Sequence, residues 1–227
     1  MRLMKIITTR TQPGGDAFVQ RLRTLGHDAL CVPVLRAQAL PFQSPDMTGI
    51  EGLIVTSAHA LRHCRLTPSD MPVYTVGAAT AVQAREMGWT RVTEGPGDVL
   101  SMGPSLKGKG ALLHLCAGQV SVDTERAFTG LNVVSLAVYE TVPDAGFPAC
   151  FENLQDGVVM VHSARAAALL RPYVRAYRDR MQAGAIIFLC LSQPVLESLI
   201  ETSLVIKGAY SISTPTEDAL INALKDI

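Results

Sequence analysis

Small hydroxyl residues stand where two predicted strands give way to predicted helices. Ser57 follows the apolar segment 53–56, and Ser163 comes shortly after the apolar segment 158–161. A serine at a helix start accepts a hydrogen bond from a free backbone amide, and the same turn offers further N–H groups and the positive end of the helix dipole. Such turns bind carboxylates without an excess of lysine. The alternative interpretation, in which both serines serve only as helix caps, stays open on the residues alone.

Tyrosine and histidine side chains could also take part in a site. Tyr139 ends an apolar segment, where its ring packs between lobes or its hydroxyl faces a ligand; packing is favoured, because a half-buried tyrosine usually combines an apolar body with a wet tip. His59 and His63 are four residues apart on a predicted helix, but no carboxylate or cysteine completes a metal site at ligand spacing. His114 and His162 lie at predicted strand ends and are interpreted as hydrogen-bonded structural histidines.

Several common catalytic motifs do not occur in the sequence. There is no G-x-S-x-G segment to carry a hydrolase nucleophile and no G-x-x-x-x-G-K-[ST] loop for phosphates. Residues 77–80 have the sequence GAAT, which differs from the G-x-G-x-x-G of a dinucleotide-binding turn. The sequence therefore argues against a triad hydrolase, a P-loop enzyme and a nicotinamide-dependent enzyme.

The composition argues against several classes of protein. The 227 residues are 48% hydrophobic and 18% charged, which supplies a sizeable core and argues against disorder. Lys plus Arg and Asp plus Glu number 20 each, whereas a nonspecific nucleic-acid binder is usually basic. No apolar run approaches the roughly 20 residues that cross a bilayer, and the N-terminal segment turns polar too soon for a signal peptide. We therefore expect a cytoplasmic protein without nucleic-acid or membrane partners.

Short apolar segments alternate along the chain with segments of helical spacing. This alternation predicts an α/β protein whose parallel strands are buried on both faces. Strands are predicted at 3–9, 27–34, 53–56, 73–76, 112–115, 133–138, 158–161 and 186–191. Helices are predicted over 16–25, 164–177 and 193–201. Two segments without helical period, 33–45 and 139–148, are predicted to be extended connectors.

An internal repeat relates two parts of the sequence. Residues 52–58 resemble residues 157–164, and Ser57 and Ser163 are 106 positions apart. The first predicted strand resembles the one at 112–115 at the same offset. A repeat with an offset of 106 positions is longer than the repeats of solenoid proteins, so it predicts two similar α/β lobes. Because ligands collect beyond the carboxyl ends of parallel strands, we expect the serine turns of both lobes to face one cleft.

These pieces together resemble the uroporphyrinogen-III synthase family along nearly the whole chain. The resemblance rests on the order and spacing of short motifs and on the internal repeat. The matching segments are 9–10 (TR), 56–61 (TSAHAL), 76–81 (VGAATA) with Gly88, 138–141 (VYET), 162–166 (HSARA) and 215–220 (PTEDAL).

The resemblance implies two flavodoxin-like lobes joined by a two-stranded connector. The first lobe would be discontinuous, 1–34 plus 142–227, and the second would be 38–138, with linkers at 35–37 and 139–141. The sequence repeats would then not coincide with the lobes in space, whereas the repeats alone favour a split near residue 106.

The activity that the resemblance implies is a cyclisation in tetrapyrrole (heme) biosynthesis. A uroporphyrinogen-III synthase closes hydroxymethylbilane, a linear tetrapyrrole with many carboxylates, to a macrocycle with loss of water and inversion of the last pyrrole ring. Closure without inversion occurs unassisted, so the enzyme must hold the chain ends so that attack at the substituted carbon, through a spiro intermediate, is faster. No cofactor and no metal are implied, and with 5% aromatic residues we expect a monomer.

The resemblance also implies roles for individual residues. Tyr139 matches the family tyrosine proposed to assist departure of the hydroxyl as a weak general acid. Arg10 would stand near the cleft, although a solvated strand-end arginine is an equally good interpretation. The turn at 192–195 (SQPV) departs from the family's G-x-T-[TA], so the threonine contact of that turn is missing. The implied substrate-binding residues are Arg10, Ser57, Ala58, Gly77, Ala78, Thr80, Ser163, Ala164 and Ser192.

Two other functions fit parts of the sequence. A non-catalytic two-lobed module could bind an anionic small molecule through the same turns. Tyr139 together with the paired serines favours the enzyme, because a pure binder has no need of a hydroxyl there. A Rossmann-type oxidoreductase or methyltransferase lacks its glycine fingerprint.

Overall fold

The computed structural model describes residues 5–152, 154–200 and 207–226. The predicted strand at 3–9 and the predicted helix at 193–201 extend beyond these residues, because residues 3, 4 and 201 lie outside the described part. Helices and strands alternate along the chain, and the strands assemble into parallel sheets. The prediction of a mixed α/β fold with parallel sheets is therefore confirmed.

Most of the strands lie on the apolar segments of the sequence. The strands are β1 (Lys5–Thr8), β2 (Asp28–Cys31), β3 (Leu35–Ala39), β4 (Ile50–Val55), β5 (Val73–Thr75), β6 (Val92–Glu94), β7 (Ala111–Ala117), β8 (Val133–Pro143), β9 (Gly157–Val161), β10 (Ile186–Cys190) and β11 (Ala209–Ser211). The helices are α1 (Gly14–Thr24), α2 (Ala58–His63), α3 (Ala78–Glu86), α4 (Val99–Ser105), α5 (Val122–Ala127), α6 (Phe147–Glu152), α7 (Ala164–Ala176), α8 (Arg178–Gln182), α9 (Gln193–Leu199) and α10 (Glu217–Ala223).

The chain forms two compact units. Unit 1 consists of residues 1–36 and 142–227, and unit 2 consists of residues 37–141. The chain therefore passes from one unit to the other twice, once within β3 and once within β8. The residues predicted as linkers, 35–37 and 139–141, lie inside these two strands.

Unit 1 is built on a five-stranded sheet with the order β11-β10-β9-β1-β2, in which every neighbouring pair is parallel. The central strands β9 (GVVMV) and β10 (IIFLC) are buried along their whole length. Such continuous apolar strands need cover on both faces. Apolar side chains of α1 and α10 pack on one face, and those of α7 and α9 pack on the other.

Unit 2 is built on a six-stranded sheet with the order β3-β8-β7-β4-β5-β6. The strands from β8 to β6 are parallel to their neighbours. Leu61 of α2 and Ala84 of α3 pack on one face with Trp89, whereas Met102 of α4 packs on the other face with Leu106. Both sheets therefore have helices on two sides.

The structure corrects the prediction of two extended connectors without regular structure. The segment 33–45 contains β3, and the segment 139–148 contains the end of β8 and the start of α6. β3 (LRAQA) has little apolar pattern of its own, and its place beside β8 in the sheet makes it a strand. Leu40, just after β3, donates a backbone hydrogen bond of 3.0 Å to the carbonyl of Val138. The secondary structure of 35–39 is therefore determined by pairing with the long strand β8, and the local sequence pattern does not reveal it.

Within the described ranges, no helix is both long and apolar enough to cross a membrane.

Candidate functional site

A cavity of about 310 Å³ opens in unit 1 at the carboxyl ends of β1 and β9. These neighbouring strands lead into helices on opposite faces of the sheet, since β1 continues into α1 and β9 into α7. This is the point in an open α/β sheet where ligands bind. The cavity is lined by Thr9, Arg10, Thr11, Leu35, His162, Ser163, Ala166, Leu191, Pro215 and Glu217.

Ser163 caps the helix that borders the cavity. Its backbone is extended, at φ −149° and ψ 150°, and its Oγ accepts a hydrogen bond of 3.2 Å from the amide of Ala166. The cap begins α7, which is 13 residues long. Ser163 and Ala166 line the cavity, whereas the predicted contact Ala164 is exposed outside the lining.

Arg10 brings a positive charge to the same cavity. Its guanidinium forms an ion pair with Glu217, and Glu217 also accepts a hydrogen bond of 2.8 Å from Arg21. Arg21 in turn pairs with Asp218. Burial, and then the charge of Arg21, lower the pKa of Arg10, but a guanidinium remains charged at neutral pH. Two arginines and two carboxylates thus form a neutral cluster at the edge of the cavity.

His162, the residue before Ser163, is a third ionisable group of the cavity lining, beside Arg10 and Glu217. Its Nε2 lies 2.9 Å from Thr8 Oγ1, and its ring meets the Phe18 ring edge-on. Burial, together with the charge of Arg10, lowers the pKa of His162 to about 4. The imidazole is therefore neutral at physiological pH, and Arg10 carries the cavity's positive charge.

Unit 2 brings the predicted Ser57 and Tyr139 together. Ser57 caps α2, with Oγ accepting a hydrogen bond of 3.2 Å from the amide of His59. Tyr139 is only 8% exposed, and its ring lies 5.7 Å from the His59 ring and 6.1 Å from the His63 ring. Burial raises the pKa of Tyr139, and a hydrogen bond with the Ser57 side chain opposes that rise. The tyrosine is therefore packed against both rings, and its hydroxyl stays protonated at neutral pH.

The second predicted turn in unit 2 begins α3. Gly77 is its N-cap, and Ala78, which is exposed, is its first residue. Thr80 is 7% exposed and points into the protein, so its hydroxyl offers little surface to a ligand. A Cβ on Gly77 would lie 3.3 Å from Gly97 Cα, which shows how closely the two backbones approach here. The exposed amide surface of this turn therefore comes from Gly77 and Ala78.

Ser192 differs from the other predicted serines. It stands at the N-cap of α9, but its side chain makes no capping hydrogen bond, and Pro194 occupies the first turn. Gln193 accepts a hydrogen bond of 2.9 Å from Ser211 instead. Leu191, and not Ser192, lines the cavity of unit 1. The start of α9 therefore lacks the serine side-chain cap that the starts of α2 and α7 have.

No group of three or more His, Cys, Asp or Glu side chains within 5–152, 154–200 and 207–226 is arranged to hold a metal ion. His59 and His63, the histidines at metal-ligand spacing, pack against Tyr139.

Sequence reasoning missed Glu217, which lines the unit 1 cavity, and Arg21, which pairs with it. Glu217 lies inside the motif at 215–220 and stands in the first turn of α10, a usual place for a carboxylate. Its position at helix start was therefore visible, but its partner Arg10 was not. Arg21 gave no signal, because its acidic partners are nearly 200 positions away in the chain. His114 and His162 are both hydrogen-bonded, as predicted, but His114 lies in the middle of β7 and not at a strand end.

Comparisons with known proteins agree on one family. The structure of uroporphyrinogen-III synthetase from Helicobacter pylori 26695 matches with a TM-score of 0.66 at 14% identity, over 98% of this chain and 99% of that one. A mutant uroporphyrinogen III synthase from the extremely thermophilic bacterium Thermus thermophilus matches with a TM-score of 0.51 at 17% identity, over 98% of each chain. Identities this low establish a shared fold alone, and no curated protein matches the sequence. The family model described as uroporphyrinogen-III synthase HemD matches residues 16–222, so the chain belongs to the uroporphyrinogen-III synthase family.

Proposed function

We propose that the protein is a uroporphyrinogen-III synthase, a cofactor-free lyase that cyclises hydroxymethylbilane with loss of water and inversion of the last pyrrole ring. The observation that carries this proposal is the family match over residues 16–222. The capped serine turns and Tyr139 support it, because the reaction needs bound carboxylates and controlled geometry more than a cluster of acids and bases.

In unit 1, Arg10 and Ser163 would bind one carboxylate-bearing arm of the substrate. The cavity of about 310 Å³ has the volume for such an arm and part of a pyrrole ring, but not for a whole tetrapyrrole. A carboxylate there would meet the Arg10 guanidinium and the amides at the start of α7. Glu217 already forms an ion pair with the Arg10 guanidinium. Binding of a substrate carboxylate would therefore rearrange this pair.

In unit 2, Ser57 and Ala58, with Gly77 and Ala78 of the next helix start, would bind further carboxylates through backbone amides. The two helices are neighbours, since Arg62 of α2 donates a hydrogen bond to Gln83 of α3. Thr80 would hold this turn in place through packing, because its side chain is buried. Ala164 and Ser192 would contribute backbone amides in unit 1.

Tyr139 would donate a proton to the hydroxyl that leaves. The C–O bond of the hydroxymethyl group breaks, its electron pair stays on oxygen, and the tyrosine proton completes a water molecule. The proton released when the macrocycle closes returns to the tyrosinate. Because burial raises the pKa of Tyr139, it is a weak acid, and because the resulting cation is stabilised by the pyrrole nitrogen, modest assistance is enough.

We further propose that each unit has a flavodoxin-like layout and that the two units are copies of one another. The unit 1 order β2-β1-β9-β10-β11 is the flavodoxin order when the strands are renumbered along the chain. In unit 2 the series β8-β7-β4-β5-β6 has the same spatial pattern if β7 and β8 correspond to β1 and β2. The first strand–helix–strand segment would then precede the other strands in unit 1 and follow them in unit 2. β3 and β8, which cross between the units, would be the two-stranded connector.

A cytoplasmic location and a monomeric state complete the proposal. Static light scattering of the purified protein tests the second, and a mass near 24.3 kDa is the expected result.

A coupled assay tests the enzymatic proposal directly. Freshly made hydroxymethylbilane is supplied by its deaminase, the products are oxidised, and the porphyrin isomers are separated. We expect the type III isomer to dominate, whereas buffer alone gives the type I isomer. A product mixture no richer in type III than buffer rejects the enzyme. If that protein still binds the substrate in a fluorescence titration, the non-catalytic binding module is the better description.

A further inference from the structure

A threonine and a histidine side chain from adjacent strands meet in each unit, and one of the two stands just after the carboxyl end of its strand. In unit 1, Thr8 Oγ1 at the end of β1 lies 2.9 Å from Nε2 of His162, which follows β9. In unit 2, Thr56 Oγ1, just after β4, lies 3.2 Å from Nε2 of His114 on β7. Each contact joins two adjacent parallel strands, β1 to β9 and β7 to β4.

The two contacts occupy corresponding places with the residue types exchanged. His114 stands 106 positions after Thr8, and His162 stands 106 positions after Thr56. The same offset separates the two capping serines. Threonine and histidine have thus changed places between the two units, but the hydrogen bond between them is present in both. The bond is therefore the feature that the units share, and the identity of the residue at either position is not.

The surroundings of the two histidines are also alike. The Phe18 ring meets His162 edge-on with centroids 5.3 Å apart, and the Phe128 ring meets His114 in the same way at 5.0 Å. Burial is the main cause that lowers the pKa of each histidine to about 4. Both rings are therefore neutral at physiological pH, where one nitrogen donates and the other accepts. Each pair is thus a neutral hydrogen bond held beside an aromatic ring.

One member of each pair stands one residue before a capping serine. Thr56 precedes Ser57, whose Oγ accepts from the His59 amide, and His162 precedes Ser163, whose Oγ accepts from the Ala166 amide. We propose that Thr8 with His162, and His114 with Thr56, are positioning residues that tie each serine turn to the neighbouring strand and so fix its amides for a substrate carboxylate. This inference rests on the proposed function of the turns.

Isosteric variants test the pairs. Thr8→Val and Thr56→Val each remove the hydroxyl at nearly constant volume, and we expect KM for hydroxymethylbilane to rise about fivefold, which is the order of one lost hydrogen bond, while kcat changes less than twofold. Thr8→Ser and Thr56→Ser keep the hydroxyl and should return KM to within twofold of wild type. Thr24→Val is the control in unit 1, because it removes a threonine hydroxyl bonded to the Gln20 carbonyl at 2.9 Å and should leave KM unchanged.

Amide hydrogen exchange supplies a readout that does not need turnover. Thr8→Val should speed exchange of the Ala166 amide, and Thr56→Val that of the His59 amide, whereas Thr24→Val should affect neither. Unchanged exchange at both amides overturns the inference even if KM rises, and unchanged KM with a lower melting temperature reduces the pairs to a structural role. Wild-type protein that makes no type III isomer rejects the proposed function instead, and the exchange data then still decide whether the pairs hold the turns.

Because the two units have threonine and histidine at exchanged positions, a double variant that swaps the two residues in unit 1 should restore the hydrogen bond that each single variant loses. Thr8→His with His162→Thr gives unit 1 the placement of residue types that unit 2 already has, although His114 in unit 2 also lies 3.4 Å from Ser135 Oγ through its Nδ1. Each single change should leave the Ala166 amide less protected, and the double change should restore most of that protection. A double variant no better protected than the worse single variant contradicts the claim that the bond is what matters.

Discussion

In the serine turn of each unit the serine Oγ accepts a capping hydrogen bond from a backbone amide, but the two turns differ in what surrounds them. Ser163 begins a helix of 13 residues, and its cavity contains the charged pair of Arg10 and Glu217. Ser57 begins a helix of six residues, and Tyr139 beside it packs against the His59 ring. In both turns the capping distance is 3.2 Å.

The difference indicates that one local design serves two purposes. A charged pair beside a capped turn favours binding of an anion, because the guanidinium is a strong carboxylate partner. A protonated hydroxyl beside a capped turn favours proton donation, because burial keeps the tyrosine in its acid form. We therefore expect variants in unit 1 to change substrate affinity and variants at Tyr139 to change turnover.

The largest expected effect concerns the feature that the units share, the buried neutral histidine. The pKa of His114 is about 4 in the folded protein and about 6.5 when unfolded, so the stability it contributes is complete above pH 6.5 and is lost as the pH falls toward 4. This loss amounts to about 3 kcal/mol at most. Denaturant unfolding at pH 7 and pH 4.5 should show a smaller pH dependence for His114→Gln than for wild type, and the same for His162→Gln. Wild-type pH dependence in both variants would contradict this account.

Removing the tyrosine hydroxyl is expected to have the next largest effect. Tyr139→Phe should lower kcat about tenfold, the modest end of general-acid assistance, because the leaving step is already easy. KM should change little, and the melting temperature should stay within a few degrees. The coupled assay and thermal unfolding measure these quantities. A fall in melting temperature that accounts for the lost activity would instead assign Tyr139 to packing alone.

The serine caps allow a comparison with a matched control. Ser57→Ala and Ser163→Ala should each raise KM about fivefold and cost about 1 kcal/mol of stability as lost caps. Ser121 caps α5 in the same manner, with Oγ 3.2 Å from the Thr124 amide, and Ser121→Ala should cost similar stability with no change in KM. Equal KM values for all three variants would mean that Ser57 and Ser163 are only caps.

The smallest expected effect concerns the ion pair of Arg10 with Glu217. Glu217→Gln should lower KM about threefold, because Arg10 no longer shares its charge with a protein carboxylate in a partly exposed pair. Asp123→Asn removes the carboxylate of an exposed pair with Arg126 in unit 2 and should leave KM unchanged. An increase in KM for Glu217→Gln would show that Glu217 orients Arg10 and does not compete with the substrate.

Much of the fold could be predicted because its strands carry their own signal. β9 and β10 are apolar along their whole length, and they were predicted to within one residue. β3 and α6 were not predicted, because their residues follow neither a strand nor a helix period strongly. Their structure depends on neighbours, such as β8 beside β3, that a local pattern does not reveal.

The candidate site could be predicted only where local chemistry determines it. Ser57 and Ser163 precede helices, so their capping role follows from residue type and position. The contact between Ser57 and Tyr139 and the pair of Arg10 with Glu217 join distant parts of the chain, and spacing gave no sign of them. Thr8 passed unnoticed because one threonine at a strand end resembles any other until its histidine partner is known.

The double passage of the chain between the units has a consequence for synthesis on the ribosome. β1 and β2 are translated first, but β1 needs β9 as its second neighbour, and β9 emerges only after all of unit 2. Unit 2 is contiguous and can fold as a nascent domain while β1 still has an unpaired apolar edge. During translation, this edge is the part of the molecule most exposed to misassembly, and the part that a chaperone able to shield apolar strands would protect.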